Sequence, residues 1–235
     1  MMKVKGIAHR GCPNRYPENT LISFKEAVKL SYSYLELDVQ LSKDGVPVII
    51  HDTSVDRMTN GQGRVKDLTL AELKELRIGG TEQISTLEEA LTLLRDQLII
   101  DIELKQMGNL YPGLEEKVLT MVQEMGMLDQ VFFSSFDHYS MVKLRQLEPK
   151  AEIGLINHSA SPALFPFLKE LNARYLSISL NYVTPELIQR CEQENIIFIP
   201  YPVDREEDMR DMLRYPSVLI CTNELERWAS ISSAG

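Results

Sequence analysis

The sequence predicts an α/β protein, a (β/α)8 TIM barrel with one extra antiparallel hairpin strand after the second barrel strand. Three observations predict it. Short apolar, β-rich runs alternate with amphipathic helical patterns through all 235 residues. Eight strand–helix units remain once the hairpin strand is set aside, which fits a barrel of near-minimal size. Polar and charged residues end several different strands, as a site at the mouth of a barrel requires. An open doubly wound sheet is the competing architecture, and it does not need that convergence. No linker, repeat or low-complexity tract divides the chain, so one domain spanning 1–235 is expected.

The first strand, Val4-Lys5-Gly6-Ile7-Ala8, leads into His9-Arg10-Gly11. A helical face of Leu21, Phe24, Ala27 and Val28 follows. Segment 34–52, YLELDVQLSKDGVPVIIHD, reads as a strand, a tight Asp44-Gly45 turn and a second strand. A two-residue turn there sets Asp38 opposite His51. Strand period puts Glu36 and Asp38 on one face. Segment 59–67, TNGQGRVKD, reads as a Gly-rich loop without the Lys-Ser/Thr ending of a phosphate cradle. Thr69-Leu70-Ala71-Glu72 and Thr86-Leu87-Glu88-Glu89 each match a capping box that opens a helix.

Segment 97–105, QLIIDIELK, is an apolar run with a polar end, the pattern of a buried parallel strand. A helix follows from about 114, with Leu114, Val118, Val122 and Met125 on one face. Further strands are expected at 131–136, 152–157, 175–180, 196–203 and 217–223. Helices are expected at 139–147, 163–171, 185–194, 206–213 and from 224 to about 230.

Composition excludes several classes. Hydrophobic residues are 44% and charged residues 25%, so a soluble globular protein is expected. The net charge of −9, with no basic run, argues against nucleic-acid binding. No apolar stretch is long enough for a membrane span or signal peptide, so no membrane anchor is expected. Three widely spaced cysteines, Cys12, Cys191 and Cys221, make no disulfide framework or zinc motif. A cytoplasmic location is expected.

The strand ends carry the chemistry. The first offers His9 and Arg10; the second Glu36 and Asp38, with His51 on its hairpin partner; the third Asp101, Glu103 and Lys105. Such a set is costly to bury unless a cation or a charged substrate joins it. Glu36, Asp38 and Glu103 are the candidate ligands of one divalent cation, Mg²⁺ or Ca²⁺, which prefers oxygen donors. Asp101, one step deeper, is a candidate supporting residue. His9 and His51 are a candidate acid–base pair. Arg10 and Lys105 are candidate phosphate contacts. Each residue alone is an ordinary strand-end or loop group; their joint placement on three strands is the signal. His138 and His158 have no such company and read as loop residues.

These residues resemble the glycerophosphodiester phosphodiesterase family. His9-Arg10-Gly11 with Pro17-Glu18-Asn19-Thr20 is similar to its HRG…PENT opening. Glu36-Leu37-Asp38-Val39 resembles its E-x-D-V segment, and Lys43-Asp44-Gly45 through His51-Asp52 its KDG…HD. Asp56-Arg57-Met58-Thr59-Asn60-Gly61 resembles the segment next to that motif in the family. Glu103-Leu104-Lys105 and Phe133-Ser134-Ser135-Phe136 are similar to its third- and fourth-strand motifs. The resemblance implies a metal-dependent barrel that hydrolyses small-molecule glycerophosphodiesters to an alcohol and glycerol 3-phosphate. It implies that Glu36, Asp38 and Glu103 hold the metal, and that His9 and His51 act as base and acid. Arg10 and Lys105 would bind phosphate.

The chain departs from that pattern twice. Pro200-Tyr201-Pro202-Val203-Asp204 stands where the family commonly has W-T-V-N, and Thr222-Asn223 where it has Thr-Asp. Tyr201 is expected to replace the aromatic wall, and Tyr111, after Lys105, to supply another substrate contact. There is little room for the subdomain that bacterial relatives often insert after His51-Asp52, so a more open pocket is expected. Two other readings share these residues: a relative that stops at a cyclic phosphate, and a non-catalytic barrel that binds phosphodiesters.

Overall fold

The computed structural model of the protein describes residues 3–233. The elements run β1 (Val4–His9), α1 (Leu21–Lys29), β2 (Tyr32–Leu41), β3 (Pro47–Ile49), α2 (Leu70–Glu75), α3 (Leu87–Leu94), β4 (Ile99–Leu104), α4 (Leu114–Glu124), β5 (Val131–Ser135), α5 (His138–Leu147), β6 (Ile153–Asn157), α6 (Leu164–Glu170), β7 (Tyr175–Ser179), α7 (Pro185–Gln193), β8 (Ile197–Tyr201), α8 (Glu206–Met212), β9 (Cys221–Thr222) and α9 (Leu225–Ser233). The hydrogen-bonded order is β8-β7-β6-β5-β4-β2-β1-β9, and β3 pairs only with β2. Eight parallel strands thus make a nearly closed barrel. At the seam, Leu219 N–H reaches the Phe198 carbonyl at 3.0 Å and Val203 N–H reaches the Cys221 carbonyl at 2.8 Å. Among the described residues no helix is long and apolar enough to cross a membrane.

Local chemistry starts the helices where the sequence indicates. Thr69 and Thr86 form complete capping boxes with Glu72 and Glu89. Thr20, Asp137 and Thr184 also accept backbone N–H groups at helix starts, and Pro185 fills the first turn of α7. The expected last strand, 217–223, shortens to Cys221–Thr222. Its ladder to β1 holds only two pairs, Ile7 with Cys221 and Ala8 with Thr222, and the seam supplies no ladder on its other side.

Strand alternation sorts the barrel into two environments. On β2, Leu35, Leu37, Val39 and Leu41 face the helices, while Tyr34 packs toward the barrel interior. On β4, Ile100, Ile102 and Leu104 face outward. The interior floor is apolar: Ile7, Phe132, Tyr175, Ile199, Leu219 and Cys221 cluster there, with Phe132 and Tyr175 stacked at 3.9 Å between ring centroids. A smaller cluster of Val48, Ile50, Val55, Val65, Leu73, Ile78 and Ile84 packs the excursion that follows β2.

The hairpin corrects the expected register. Val39 pairs with Ile49, Gln40 with Val48 and Leu41 with Pro47, one residue out of step with a two-residue Asp44-Gly45 turn. Ser42 N–H bonds the Val46 carbonyl at 3.0 Å and Gly45 N–H bonds the Ser42 carbonyl at 2.9 Å, which makes a three-residue loop. The two-residue turn favoured in hairpins demands positive φ at both central residues. Only Gly45, at φ 77°, has it. Asp44 is instead held by Ser42 Oγ at 2.6 Å and Leu70 N–H at 2.9 Å. Asp38 therefore stands opposite Ile50, whose N–H reaches its carbonyl at 3.1 Å, and His51 lies in the loop beyond β3.

Gly154 on β6 is small because Tyr175 is large. A Cβ there would sit 2.8 Å from Tyr175 Cβ, an overlap the stacked ring cannot relieve by rotation. Gly154→Ala should therefore destabilise the protein by about 1–3 kcal/mol, the usual cost of overpacking. Urea unfolding will show it as a lower midpoint, and an unchanged midpoint contradicts this account of the floor.

Candidate active site

Parallel register assembles the site. His9 lies beside Glu36, Glu36 beside Asp101, Asp38 beside Glu103, and Glu103 beside Ser134. Because side chains alternate at period 2, all of these point into the barrel at its C-terminal mouth. Below them is the apolar floor, so the carboxylates are cut off from bulk water. Glu36 is 4% exposed, Asp38 0% and Glu103 8%.

The chain leaves β1 through a bend that serves this cluster. Arg10 and Gly11 both have positive φ, 56° and 86°. For Arg10 that conformation costs about 1–2 kcal/mol. It turns the Arg10 N–H onto Glu36 Oε2 at 2.9 Å. Gly11 tolerates no side chain, since a Cβ would lie 2.9 Å from the Ser23 backbone. Asn19, also at positive φ (58°), donates Nδ2 to Asp38 Oδ2 at 2.7 Å and accepts Asp38 N–H at 3.3 Å.

Two cations face three carboxylates. Lys105 Nζ is 2.6 Å from Glu103 Oε1 and 3.3 Å from Asp38 Oδ1, and Arg10 Nε is 3.4 Å from Asp38 Oδ2. Burial alone would raise every carboxyl pKa. At Asp38, Lys105 and Arg10 overcome burial and hold the carboxyl down at about 2. At Glu103, burial and the Asp38 charge win, and its pKa rises to about 7. Burial, followed by repulsion from Asp38 and Glu103, pushes Glu36 well above the usual carboxylate range. Asp101 is raised too, chiefly by burial, and accepts Ser134 Oγ at 2.6 Å.

The trio fits a cation. One oxygen each of Glu36, Asp38 and Glu103 lies within 4.8 Å of the others, the one such grouping among the described residues. Glu36 Oε1 is buried without a hydrogen-bond partner, and Asp38 Oδ1 has only the Lys105 ammonium, 3.3 Å away. Orphaned buried oxygens are rare unless something occupies them. An all-oxygen donor set suits a hard divalent ion.

Both histidines are held through Nδ1. His9 Nδ1 is 2.9 Å from Asn223 Oδ1, and its Nε2 is 4.0 Å from Glu36 Oε2. Burial, aided by the Arg10 charge, lowers the His9 pKa to about 4. His51 Nδ1 is 2.7 Å from Asp52 Oδ1, and Arg57 Nε grips Asp52 Oδ2 at 2.6 Å. Glu18 joins Arg57, at 2.7 Å, to Arg10, at 3.1 Å. Burial lowers the His51 pKa as well, opposed by Asp38 and Asp52. The His51 loop is pinned by buried Gln40, whose Nε2 lies 2.8, 2.9 and 2.7 Å from the carbonyls of Ile50, His51 and Asp52.

A cavity of about 450 Å³ opens over these groups. His9, Arg10, Glu36, His51 and Glu103 line one side, and Phe136, Ile156, His158, Tyr201 and Pro202 the other. Tyr201 donates its hydroxyl to the Asn157 carbonyl at 3.1 Å and meets Phe136 edge-on at 6.2 Å. Lys105 Nζ sits 6.0 Å from the Phe136 ring. A larger hollow, about 710 Å³, lies near the opposite ends of β6, β7 and β8 and holds none of the strand-end groups.

Tyr111 is not brought to the mouth. It is 2% exposed, and its hydroxyl donates to Gln40 Oε1. Asn19, Asp52, Arg57 and Gln40 are the site residues that sequence reasoning alone does not single out. Asn19, Asp52 and Arg57 lie in motifs that carry the family resemblance, and Gln40 continues the i, i+2 row of Glu36 and Asp38. His158, read as a loop residue, lines the cavity and leans on Phe136 at 4.8 Å. The two departures at 204 and 223 meet each other, since Asp204 accepts both the side-chain and backbone N–H of Asn223 at 2.8 Å.

Residues 9–227 match the model of the glycerophosphoryl diester phosphodiesterase family. The chain is similar to a glycerophosphodiester phosphodiesterase of Caldanaerobacter subterraneus subsp. tengcongensis, 38% identical across the whole of both chains. A protein of that description from Bacillus altitudinis is 36% identical, covering 89% of this chain and 90% of its own. Among solved structures, an Oleispira antarctica phosphodiesterase in complex with the product sn-glycerol-3-phosphate superimposes with a TM-score of 0.90. It is 26% identical, with 98% of this chain and 96% of that chain covered.

The geometry makes two outcomes measurable. Tyr111→Phe should cost about 1–3 kcal/mol in stability, because it leaves the buried Gln40 oxygen unpaired. KM should change little in steady-state assays, whereas a direct substrate contact would raise KM. A cation must also displace protons held by Glu36 and Glu103. Mg²⁺ or Ca²⁺ should therefore bind more tightly as pH rises through about 7, with release of protons. Titration calorimetry in buffers of different ionisation enthalpy will measure that release, and a pH-independent affinity without it contradicts the assignment.

Proposed function

The chain belongs to the glycerophosphoryl diester phosphodiesterase family, and from that premise we propose that it hydrolyses glycerophosphodiesters to an alcohol and glycerol 3-phosphate by acid–base catalysis from His9 and His51. The observation that carries the reading is the meeting, at one barrel mouth, of the carboxylate trio, two Nδ1-anchored histidines and the cations Arg10 and Lys105. Glu36, Asp38 and Glu103 would hold one Mg²⁺ or Ca²⁺, which when bound would offset charge on the phosphoryl oxygens and lower the pKa of a nearby hydroxyl. Arg10 and Lys105 would bind the remaining phosphate charge.

The histidines divide the proton work by their partners. His9 is held by a neutral amide, and burial with the Arg10 charge makes it lose its proton readily, which suits the base. Its Nε2 takes the proton of the glycerol 2-hydroxyl as that oxygen bonds to phosphorus. His51 leans on the carboxylate of Asp52, which offsets part of the pKa lowering by burial and suits the acid. It gives that proton to the leaving alcohol oxygen as the P–O bond breaks. Water then opens the cyclic phosphate with the roles reversed: His51 takes the water proton, and His9 returns its own to the glycerol 2-oxygen. The apolar, aromatic side of the cavity faces the departing alcohol. The buried free thiols of Cys12, Cys191 and Cys221 are consistent with a cytoplasmic setting.

His51→Ala should lower kcat by about 10²–10⁴-fold on glycerophosphocholine. A diester that releases p-nitrophenol, which needs no proton, should restore most of the rate of the first step, read as the first-turnover release of p-nitrophenol, in His51→Ala and little of it in His9→Ala. EDTA should abolish glycerol 3-phosphate release. Full activity of His51→Ala on the choline substrate rejects the acid role.

A further inference from the structure

We propose that Asp204 and Asn223 are positioning residues that fix which ring nitrogen of His9 carries the proton. The inference rests on the acid–base reading of His9 above. Asp204 takes three donors: Thr222 Oγ1 at 2.9 Å, Asn223 N–H at 2.8 Å and Asn223 Nδ2 at 2.8 Å. A carboxylate only accepts, so it dictates the direction of the Asn223 amide. The amide nitrogen must face Asp204, and the amide oxygen must then face His9 Nδ1, 2.9 Å away. An oxygen there can only accept, so Nδ1 carries the hydrogen. In the neutral ring Nε2 is then left without one, on the side where Glu36 stands 4.0 Å away. Arg227 Nη1, at 2.6 Å from the Asp204 carbonyl, tethers the backbone of this relay.

The relay joins β1, the end of β8 and the end of β9, three segments that meet at the barrel seam. It makes the His9 base a property of hydrogen-bond direction. If the amide turned over, its nitrogen would donate to Nδ1, the hydrogen would move to Nε2, and the base would be blocked although every residue stayed in place. Asp204→Asn should do this. It sets an amide nitrogen against the nitrogen of Asn223, and the clash of donors is relieved when Asn223 flips.

The test is a tautomer measurement. Long-range ¹H–¹⁵N spectra of the histidine rings, with His9 assigned by its loss in His9→Ala, are recorded on the metal-free, substrate-free protein near pH 8. The native protein should show His9 protonated at Nδ1, and D204N should show a substantial Nε2–H population. In steady-state assays D204N should lose about ten-fold or more of kcat with little change in KM. The double exchange D204N/N223D should restore the Nδ1–H form, because the new amide donates to the new carboxylate, which still accepts from His9. It should also recover kcat to within several-fold of the native value. Native His9 protonated at Nε2, or D204N with an unchanged tautomer, overturns the proposal. Should D204N not fold, N223L gives the same reading, since it removes the acceptor and should release the tautomer preference. The spectra need no turnover, so a failure of the hydrolase reading leaves this result separately readable.

Discussion

Three carboxylates buried within 4.8 Å of one another are the constraint around which the mouth of this barrel is arranged. Such a cluster is strongly self-repelling in a dry interior. It persists because Lys105 and Arg10 face it and because Arg10 N–H and Asn19 donate to its oxygens. Positive φ at Arg10, Gly11 and Asn19 is part of the same arrangement, since those bends bring the Arg10 N–H to Glu36 and the Asn19 amide to Asp38. The compensation is incomplete: Glu36 Oε1 remains orphaned, and the pKa values of Glu36 and Glu103 stay high. That incompleteness is what a bound cation would relieve.

The same principle separates the two histidines. Each is anchored at Nδ1, but one partner is an amide and the other a carboxylate held by an arginine. Burial and the Arg10 charge leave His9 easily deprotonated, whereas at His51 the Asp52 carboxylate offsets part of the lowering by burial. The anchors lie behind the rings: Asn223 is backed by Asp204, and Asp52 by Arg57. Gln40 extends that support to the backbone: one buried amide holds the carbonyls of the His51 loop and takes the Tyr111 hydroxyl in turn. Tyr111 therefore acts on the site from the core.

The charged groups of the barrel mouth were legible in the sequence because their placement is periodic. Glu36 and Asp38, and Asp101, Glu103 and Lys105, alternate with buried aliphatic residues, and that pattern alone says that they share a face. The capping boxes at Thr69 and Thr86 were legible for the same reason, being contacts three residues apart. The register of the hairpin was not. Asp44-Gly45 is compatible with a two-residue turn or a three-residue loop, and the choice falls to contacts made by Asp44 with Ser42 and with Leu70, which is 26 residues away. His51 reached the cavity all the same, although it does not stand opposite Asp38.

Sequence by itself determined the eight-fold strand–helix alternation, the inward rows on β2 and β4, and the motifs that resemble the phosphodiesterase family. Those are local properties, set by a period of two and by short-range turn and cap chemistry. Tertiary structure alone decided the partners. His9 meets Asn223, 214 residues away, only because the barrel closes and brings β1 beside β9. The paired departures at Asp204 and Asn223 read as two separate changes along the chain and as one hydrogen-bonded pair in space. Tyr111 looked like a mouth residue from its place after Lys105, and packing drew it inward to satisfy Gln40. A hydrogen-bond partner has no period, so a one-dimensional pattern does not contain it, and the fold must be closed before it is defined.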